Sequence, residues 1–389
     1  MSGDPEGELA ALLPRLIRDS RVHSLDNLRS ALIALVIFHH AALPFGGIGF
    51  WPYMSPYHGT NSSVVVLILF VLLNQSYFMG TLFFIAGHFS AWAASNRTWR
   101  KFCADKFKRL GIPAVVYTLF VQPLNIVLVQ SAKHSPILPV LRTYYANLNG
   151  VRGPVWFIAV LLLFDLVYIV VRTCLPPLSF LVPSSATQYR ATAVVGIACV
   201  IVCSFLIRIS HPIGHESPPF QLQLAYASQY VFAYAAGTSL SKIQQYLLVS
   251  HPAGRLALTY LLAIFSISLV GTVAHMTHNE SLFVGGANPF AFFLAAWNEI
   301  CFYFIGTALY SLFHDSEHST RRWGNTARYS YGAFLLHAPV VVALQILVDG
   351  AMRTVHGVVK TLVVGVLGVC ISWAGAWLLI RIPGVAKVV

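Results

Sequence analysis

Long apolar runs recur along the chain, separated by short polar segments. A helix needs about 20 consecutive apolar residues to cross a bilayer, and runs of that kind occur from residue 28 to residue 381. Ten spans are predicted on this basis, at 28–45, 64–94, 111–130, 155–173, 190–208, 224–242, 256–275, 287–312, 329–349 and 359–380. The pattern predicts an all-α fold, a polytopic transmembrane helix bundle.

The spans leave two short ends outside one large domain. Residues 1–23 are polar and mixed in charge, residues 24–383 contain every span, and residues 384–389 form a short C-terminal tail. The first residues lack the basic start and apolar core of a secretory signal. We therefore expect a single integral, multi-pass membrane domain of about ten helices.

Composition agrees with a membrane protein. The chain is 57% hydrophobic and only 10% charged, with mean hydropathy +0.70, whereas a soluble chain of 389 residues needs more charge at its surface. With the N-terminus placed in the cytoplasm, Lys and Arg divide 19 to 6 in favour of the cytoplasmic side, as the positive-inside bias requires. Both termini are therefore predicted to be cytoplasmic. Loops and lipid headgroups explain the net charge of +12, so no nucleic acid partner is expected.

The first span carries ionisable residues along one face. Arg29 and His40 are eleven residues apart, close to three turns, which separates them by about 16 Å along the helix. Asp26 lies one turn before Arg29, while His39 points about 100° away from His40. Ionisable groups at this depth usually face a cavity and suggest function, and histidine can exchange a proton near neutral pH. The alternative is a structural His40 that bonds a neighbouring helix.

Two basic residues follow the second span. Lys106 and Arg109 are three residues apart, so they neighbour each other on a helix face. Such a pair suits a phosphate-bearing ligand. Ordinary loop charge that sets topology is the alternative explanation.

Three further polar residues lie inside predicted spans. Asp165 and Glu299 are the two carboxylates well inside spans, and His337 is followed by Pro339, which loosens the helix. Each carboxylate is a candidate to orient a histidine, bind a hydroxyl or pair with an arginine, or it is structural. The sequence lacks the CxxC and HExxH patterns of metal sites and the GxSxG and Walker motifs. No metal is predicted.

Five motifs, in order, resemble the membrane acyltransferase 3 family over roughly residues 24–345. They are Asp26-x-x-Arg29 with His40, "TLFFIAGHFSAW" at 81–92, Lys106-x-x-Arg109, "GPVWFIAVLLLF" at 153–164 and "RYSYGAFLLHAPVVV" at 328–342. The segment "FFIAGHFSAW" is most similar to the glucans biosynthesis protein C branch. Ser30, Ala86, His88 and Lys106 depart from the residues that are common in the family.

The resemblance implies an O-acyltransferase that moves an acyl group, most often acetyl, from acyl-CoA to a hydroxyl of a glycan, sugar or small-molecule natural product. It assigns His40 and Arg29 to the family's essential pair, and Lys106 and Arg109 to the basic pair near the donor. Asp26, His337, Asp165 and Glu299 are expected to support substrate binding, with Asp165 or Glu299 fixing the tautomer of His40. Acyl-CoA is then a co-substrate, membrane lipid surrounds the protein, and no prosthetic group is implied.

Two other classes of function stay open at this point. A bundle with His, Asp and Glu inside its spans also describes a proton-coupled transporter or exporter. A structural membrane protein is the third hypothesis, although it leaves the His40 face without a role.

Overall fold

The chain folds into a helical bundle with one small hairpin. A computed structural model describes residues 5–58, 63–174 and 183–388, with side chains described between residues 23 and 386. Its helices are α1 (Pro5–Ala42), α2 (Ser63–Ser95), α3 (Trp99–Lys106), α4 (Ile112–Val116), α5 (Gln122–Ala132), α6 (Ile137–Ala146), α7 (Trp156–Cys174), α8 (Ala186–Ser210), α9 (Ala227–Thr238), α10 (Leu240–Leu247), α11 (Pro252–Met276), α12 (Pro289–Asp315), α13 (Glu317–Thr320), α14 (Thr326–Ala351) and α15 (Gly357–Leu379). Strand β1 (Glu216–Ser217) pairs antiparallel with β2 (Leu222–Gln223), with Glu216 opposite Gln223.

Nine helices in the described part of the chain are long and apolar enough to cross a membrane. They are His23–Phe45, Ser63–Ser95, Trp99–Ala132, Trp156–Cys174, Ala186–Ser210, Pro252–Met276, Pro289–Asp315, Thr326–Ala351 and Gly357–Leu379. These helices confirm the prediction of an integral, polytopic helical bundle. The cytoplasmic placement of the termini stays a prediction from charge.

The span predicted at 224–242 differs from the others because it is broken. A short 3₁₀ turn leads into α9, and the helix then stops at Ser239 before α10 begins. Gly237, Thr238 and Ser239 are three consecutive weak helix formers, which accounts for the break. Helix α10 is amphipathic and buries Leu240, Ile243 and Leu247 along one face. Neither helix alone is long enough to span.

The broken segment nevertheless runs from one end of the bundle to the other. At its start, the carbonyl of Ala225 accepts a hydrogen bond from Ser204 near the end of α8 (3.1 Å). At its end, the Val249 amide donates to Ser311 near the end of α12 (3.0 Å). The end of α8 lies beside the start of α12, because Gly286 donates to the carbonyl of Arg208 (3.1 Å). Helices α9 and α10 together therefore connect the two ends of the bundle, while a tenth membrane crossing stays a prediction.

The third predicted span, at 111–130, lies within a longer helical rod over Trp99–Ala132. Two π-helical turns interrupt it, at Phe107–Gly111 and Tyr117–Val121. Pro113 and Pro123 each lack the amide that would bond the carbonyl four residues earlier. Those two carbonyls, of Arg109 and Leu119, accept hydrogen bonds from tyrosine hydroxyls instead. The prolines thus explain where the rod changes its hydrogen bonding.

The structure describes parts of both predicted tails. Helix α1 runs from Pro5 through residue 23 without a break, since the preceding segment is rich in the good helix formers Ala, Leu, Glu and Arg. At the other end, Ala386 lies against a cavity that Arg29 also lines. Helix α1 therefore continues across residues 23 and 24, and the division of the chain into tails and one domain stays a prediction.

Helix α1 occupies the centre of the bundle, against α2, α12, α14 and α15. It buries Leu28, Leu32, Val36 and Ile37. By contrast, α11 exposes large apolar side chains such as Leu261 along most of its length, as expected of a lipid-facing helix. His39 and His40 of α1 consequently lie in the protein interior.

Candidate functional site

Two histidines from distant parts of the chain meet at the centre of the bundle. His40, near the end of α1, places Nδ1 3.0 Å from Nε2 of His337 on α14. The two rings are nearly parallel, with 14° between their planes. His337 is completely buried and His40 is half-buried. The structure thus joins two residues that are 297 positions apart.

The hydrogen bonds of the pair fix the proton positions of the neutral rings. Nδ1 of His337 contacts the backbone carbonyl of Phe334, and a carbonyl can only accept, so this nitrogen carries the hydrogen. Nε2 of His337 then accepts a hydrogen bond from Nδ1–H of His40. The remaining nitrogen, Nε2 of His40, therefore bears a lone pair, and no described residue bonds to it. His40 is arranged as a base.

His39 lies outside this arrangement, as its position on the helix predicts. It is 6% exposed and packs against the ring of Phe78, with the ring centroids 4.9 Å apart. Its ring contacts are those of a packing residue, and its buried Nδ1 has no hydrogen-bond partner among the described residues.

A tryptophan from the loop between α1 and α2 covers the His40 ring. The indole of Trp51 stacks on the imidazole at 4.3 Å between centroids, with 17° between the planes. Trp51 Nε1 donates to Oε1 of Gln345 (2.7 Å), and Gln345 Nε2 donates to the backbone carbonyl of His40 (2.9 Å). The three residues form a closed ring of contacts.

A cavity of about 540 Å³ opens on the same side of the bundle as Arg29. We call it the arginine cavity, because its cations are Arg29, Arg97, Lys106, Arg109 and Arg328. Its deeper walls are apolar and include Ile33, Leu161, Phe157 and Phe334. The cavity combines a cationic mouth with an apolar interior, which suits an anionic ligand that carries an apolar arm.

Arg29 is held at the mouth by several contacts. It forms an ion pair with Asp26 (2.9 Å), one turn earlier, and its guanidinium lies 5.4 Å from the ring of Phe89. Nη2 also contacts the carbonyl of Ala327 (3.4 Å). Arg29 additionally lines a second cavity, of about 300 Å³, together with Arg322 and Trp323. The ion pair with Asp26 thus positions this arginine at the mouth of the cavity.

Lys106 and Arg109 both line the arginine cavity but differ in their partners. Lys106 Nζ lies 2.8 Å from a carboxylate oxygen of Asp165 and donates to Ser90 (2.7 Å). Arg109 is exposed, and its guanidinium has no partner among the described residues. The carbonyl of Arg109, freed by Pro113, is held by the hydroxyl of Tyr331. Of the two predicted basic residues, Arg109 is the one free to take a phosphate.

The two carboxylates predicted inside spans, Asp165 and Glu299, do not contact the histidine pair. Asp165 is occupied by Lys106 and by the hydroxyl of Tyr234 (2.7 Å). Glu299 accepts hydrogen bonds from Gln229 (3.0 Å) and Asn298 (3.3 Å). The expectation that one of them fixes the tautomer of His40 is therefore wrong. His337 and the Phe334 carbonyl fix the tautomer of His40 instead. A backbone carbonyl is uncharged, so it can set the tautomer without burying another charge.

Phe334 connects the two halves of the candidate site. It lines the deep end of the arginine cavity, and its ring centroid lies 5.5 Å from that of His337. The same residue supplies the carbonyl that orients His337. The deep end of the cavity therefore lies next to the histidine pair.

Sequence reasoning missed Trp51, Gln345, Tyr331 and Arg328. Trp51 lies in a loop rich in Gly, Pro and aromatics, a composition that distinguishes no particular residue. Gln345 is an isolated amide in an apolar helix, eight residues and therefore about 80° of helical rotation from His337, so helix geometry alone does not place it with the histidine. The signal for Tyr331 is indirect: Pro113 predicts a free carbonyl at Arg109 but not its partner.

Comparison with known proteins adds one finding. A family model described as an acyltransferase domain matches residues 22–381, nearly the whole chain. Searches of curated proteins and of solved structures give no significant match.

Proposed function

Because the chain belongs to the acyltransferase 3 family and is a membrane acyltransferase, we propose that it transfers an acyl group from acyl-CoA to a hydroxyl of an acceptor. The observation that carries this proposal is the His40–His337 pair, in which the free lone pair lies on Nε2 of His40. A base of this kind is what a hydroxyl needs before it can attack a thioester.

The donor is proposed to bind in the arginine cavity. Acyl-CoA carries several phosphates, and arginine recognises phosphate through paired, charge-assisted hydrogen bonds. Arg29, Arg109 and Arg328 line the cavity. The apolar wall beyond them suits the pantetheine arm and the acyl group. Arg29 and His40 lie about 16 Å apart along α1, a distance that a long, flexible arm can cover.

The proposed reaction has two proton transfers. Nε2 of His40 takes the proton of the acceptor hydroxyl while the oxygen attacks the thioester carbonyl carbon. The carbon–sulfur bond then breaks, the CoA thiolate leaves, and the His40 imidazolium returns the proton to the sulfur. His337 positions His40 throughout. A relay in which His40 itself carries the acyl group is the second route, because its free Nε2 is also a nucleophile.

The acceptor is proposed to be a glycan, a sugar or a small-molecule natural product, and the transferred group acetyl. The family resemblance supports both choices. The acceptor would meet His40 from the side of the loop between α1 and α2, since the arginine cavity leads to the opposite side of the pair.

The test uses purified protein in lipid nanodiscs with labelled acetyl-CoA and a panel of hydroxylated acceptors. We expect labelled ester and free CoA in equal amounts from the wild type. His40→Ala is expected to lower the rate about 100- to 10,000-fold, the range of a lost general base, whereas His39→Ala should keep most of it. Mass spectrometry of the protein during turnover detects any acyl-histidine and so distinguishes the two routes.

Two results would contradict the proposal. One is a wild type that releases no CoA with any acceptor, particularly if liposome assays show that it moves a solute instead, as a transporter would. The other is a folded His40→Ala variant with full transfer activity.

A further inference from the structure

The loop between α1 and α2 brings an aromatic ring onto the face of His40. The loop is described from Gly46 to His58, and Trp51 lies near its middle. The stack of Trp51 on His40 is close and nearly parallel, at 4.3 Å and 17°. His337 occupies the Nδ1 edge of the same ring. These two neighbours leave the Nε2 edge as the way for an acceptor to reach the imidazole.

Gln345 ties the indole to the backbone of His40. Its amide accepts from Trp51 Nε1 and donates to the His40 carbonyl, at 2.7 and 2.9 Å. Gln345 is completely buried, so both of its bonds form away from water, where a lost partner is costly. A phenylalanine at position 51 has the ring but lacks the donor, so the bonding favours tryptophan specifically.

A buried ion pair anchors the loop two residues after Trp51. The hydroxyl of Tyr53 donates to Asp349 (2.7 Å), which pairs with Lys360 (2.6 Å). Asp349 and Lys360 are 3% and 2% exposed. The Lys360 ammonium also lies 5.2 Å from the ring of Tyr57 in the same loop. The loop is therefore fastened to α14 and α15 directly after the indole.

We propose that Trp51 is a positioning residue for the acyl transfer, held over His40 by Gln345 and by the Tyr53–Asp349–Lys360 anchor. This inference rests on the proposed function. Trp51 fixes the plane of the imidazole so that Nε2 meets the acceptor hydroxyl. It also stabilises the imidazolium that forms when His40 takes the proton, because the face of an indole attracts a cation.

A role in packing alone predicts a different pattern of effects. Packing would depend on the volume of residue 51, so that leucine and phenylalanine would differ by size and would act through stability. The positioning role depends on the ring and on the indole N–H. It predicts an effect on kcat at unchanged KM for acyl-CoA, since the donor binds in the arginine cavity on the other side of the histidine pair.

The first experiment compares Trp51→Leu, Trp51→Phe and Tyr53→Phe with the wild type in the labelled acetyl-CoA assay. We expect Trp51→Leu to lower kcat about 10- to 100-fold, the cost of a small misplacement, with KM for acetyl-CoA unchanged. Trp51→Phe keeps the ring and should lose less. Tyr53 does not contact His40, yet Tyr53→Phe should also lower kcat, because it removes a hydroxyl that anchors the loop. The matched control is Trp377→Leu, a 40% exposed tryptophan on α15, which should keep kcat.

The second experiment does not depend on acyl transfer. Diethyl pyrocarbonate modifies unprotonated imidazole nitrogens, and peptide mapping resolves His40 from its neighbour. We expect Trp51→Leu to speed modification of His40 several-fold, with His39 unchanged as the internal reference. The melting temperature in detergent, measured alongside, identifies a variant that is merely unfolded. If Trp51→Leu is unfolded, Trp51→Phe replaces it as the milder substitution.

The inference is overturned if Trp51→Leu and Trp51→Phe both keep wild-type kcat, or if His40 reacts with the reagent at the same rate in all variants. If the wild type transfers no acyl group while Trp51→Leu still speeds modification of His40, the proposed function fails and the position of Trp51 over His40 is supported. The two failures are thus distinguishable.

Discussion

The arginine cavity and the histidine pair are both polar sites inside an apolar bundle, but they are built in opposite ways. In the arginine cavity, several cations line one open space, and the exposed Arg109 has no partner in the described structure. Around the histidine pair, nearly every polar atom has a partner, from the Phe334 carbonyl to Gln345. The first site has free donors, and the second leaves one free lone pair, on His40.

This difference follows from what each site is proposed to do. A phosphate ligand brings its own charge, so at least one of the cations that receive it, here Arg109, must be free until it arrives. A base must have one defined tautomer and one defined ring plane, so its neighbours must be satisfied in advance. The arginine cavity is therefore suited to binding a ligand, and the histidine pair is suited to proton transfer.

The largest expected effect concerns the anchor beside the histidine pair. Lys360→Met leaves Asp349 buried without its cation, and breaking such a pair costs about 3–5 kcal/mol. We expect the free energy of unfolding in detergent to fall by that amount. The double variant Asp349→Leu with Lys360→Met should recover most of the loss. An unchanged melting temperature for Lys360→Met would show that the pair is not buried as described.

The next largest effect is expected at His337, the partner of His40. His337→Leu removes the acceptor for Nδ1–H of His40, so the His40 ring can turn and change tautomer. We expect kcat to fall about 100-fold while KM for acyl-CoA stays near the wild-type value. His39→Leu, which replaces a neighbouring buried histidine, is the matched control. Equal activity of His337→Leu and wild type would remove His337 from the site.

A smaller and opposite kinetic effect is expected at the arginine cavity. Arg109→Ala removes a free guanidinium, and a hydrogen bond to a charged group is worth about 1.5–3 kcal/mol. KM for acyl-CoA should therefore rise about tenfold or more, with kcat little changed. Arg142→Ala, an exposed arginine on α6 outside the cavity, is the control. A fall in kcat at constant KM would place Arg109 in the chemistry instead.

The smallest effect is expected at the rim of the same cavity. Arg97 and Asp105 form an ion pair at 2.8 Å, but each side chain is about one-third exposed, at 35% and 36%. Exposed pairs contribute about 0–1 kcal/mol. Asp105→Asn should thus leave the melting temperature and kcat within error of the wild type. A large loss of stability would mean that this rim is structurally important.

The helical bundle could be predicted from the length of the apolar runs and from the charge of the loops, because both are local properties of the sequence. The same local reasoning separated His40 from His39 and paired Asp26 with Arg29, since helix geometry alone fixes those relations. It did not predict the break within residues 224–242, where composition is apolar but Gly237 and Ser239 stop the helix. Hydropathy measures transfer into lipid and does not report such a break.

The partners of the buried charges could not be predicted in the same way. Asp165 has Lys106 and Tyr234 as partners, and Glu299 has Gln229 and Asn298. Each of these pairings except the last joins different helices, and the order of helices in a bundle is not a local property. The sequence predicted that one of two carboxylates contacts His40. Helix packing instead places both carboxylates next to other partners.

By itself, the sequence determined a membrane bundle, a polar face on its first helix and a basic segment after its second, since hydropathy and helical phase depend on neighbours along the chain. Only the tertiary structure decided that His337 rather than a carboxylate orients His40, that Arg109 is free while Lys106 is paired, and that Trp51 covers the imidazole. Those outcomes depend on which helix faces meet across hundreds of residues. Most buried polar atoms find their partners there, because lipid and core supply none.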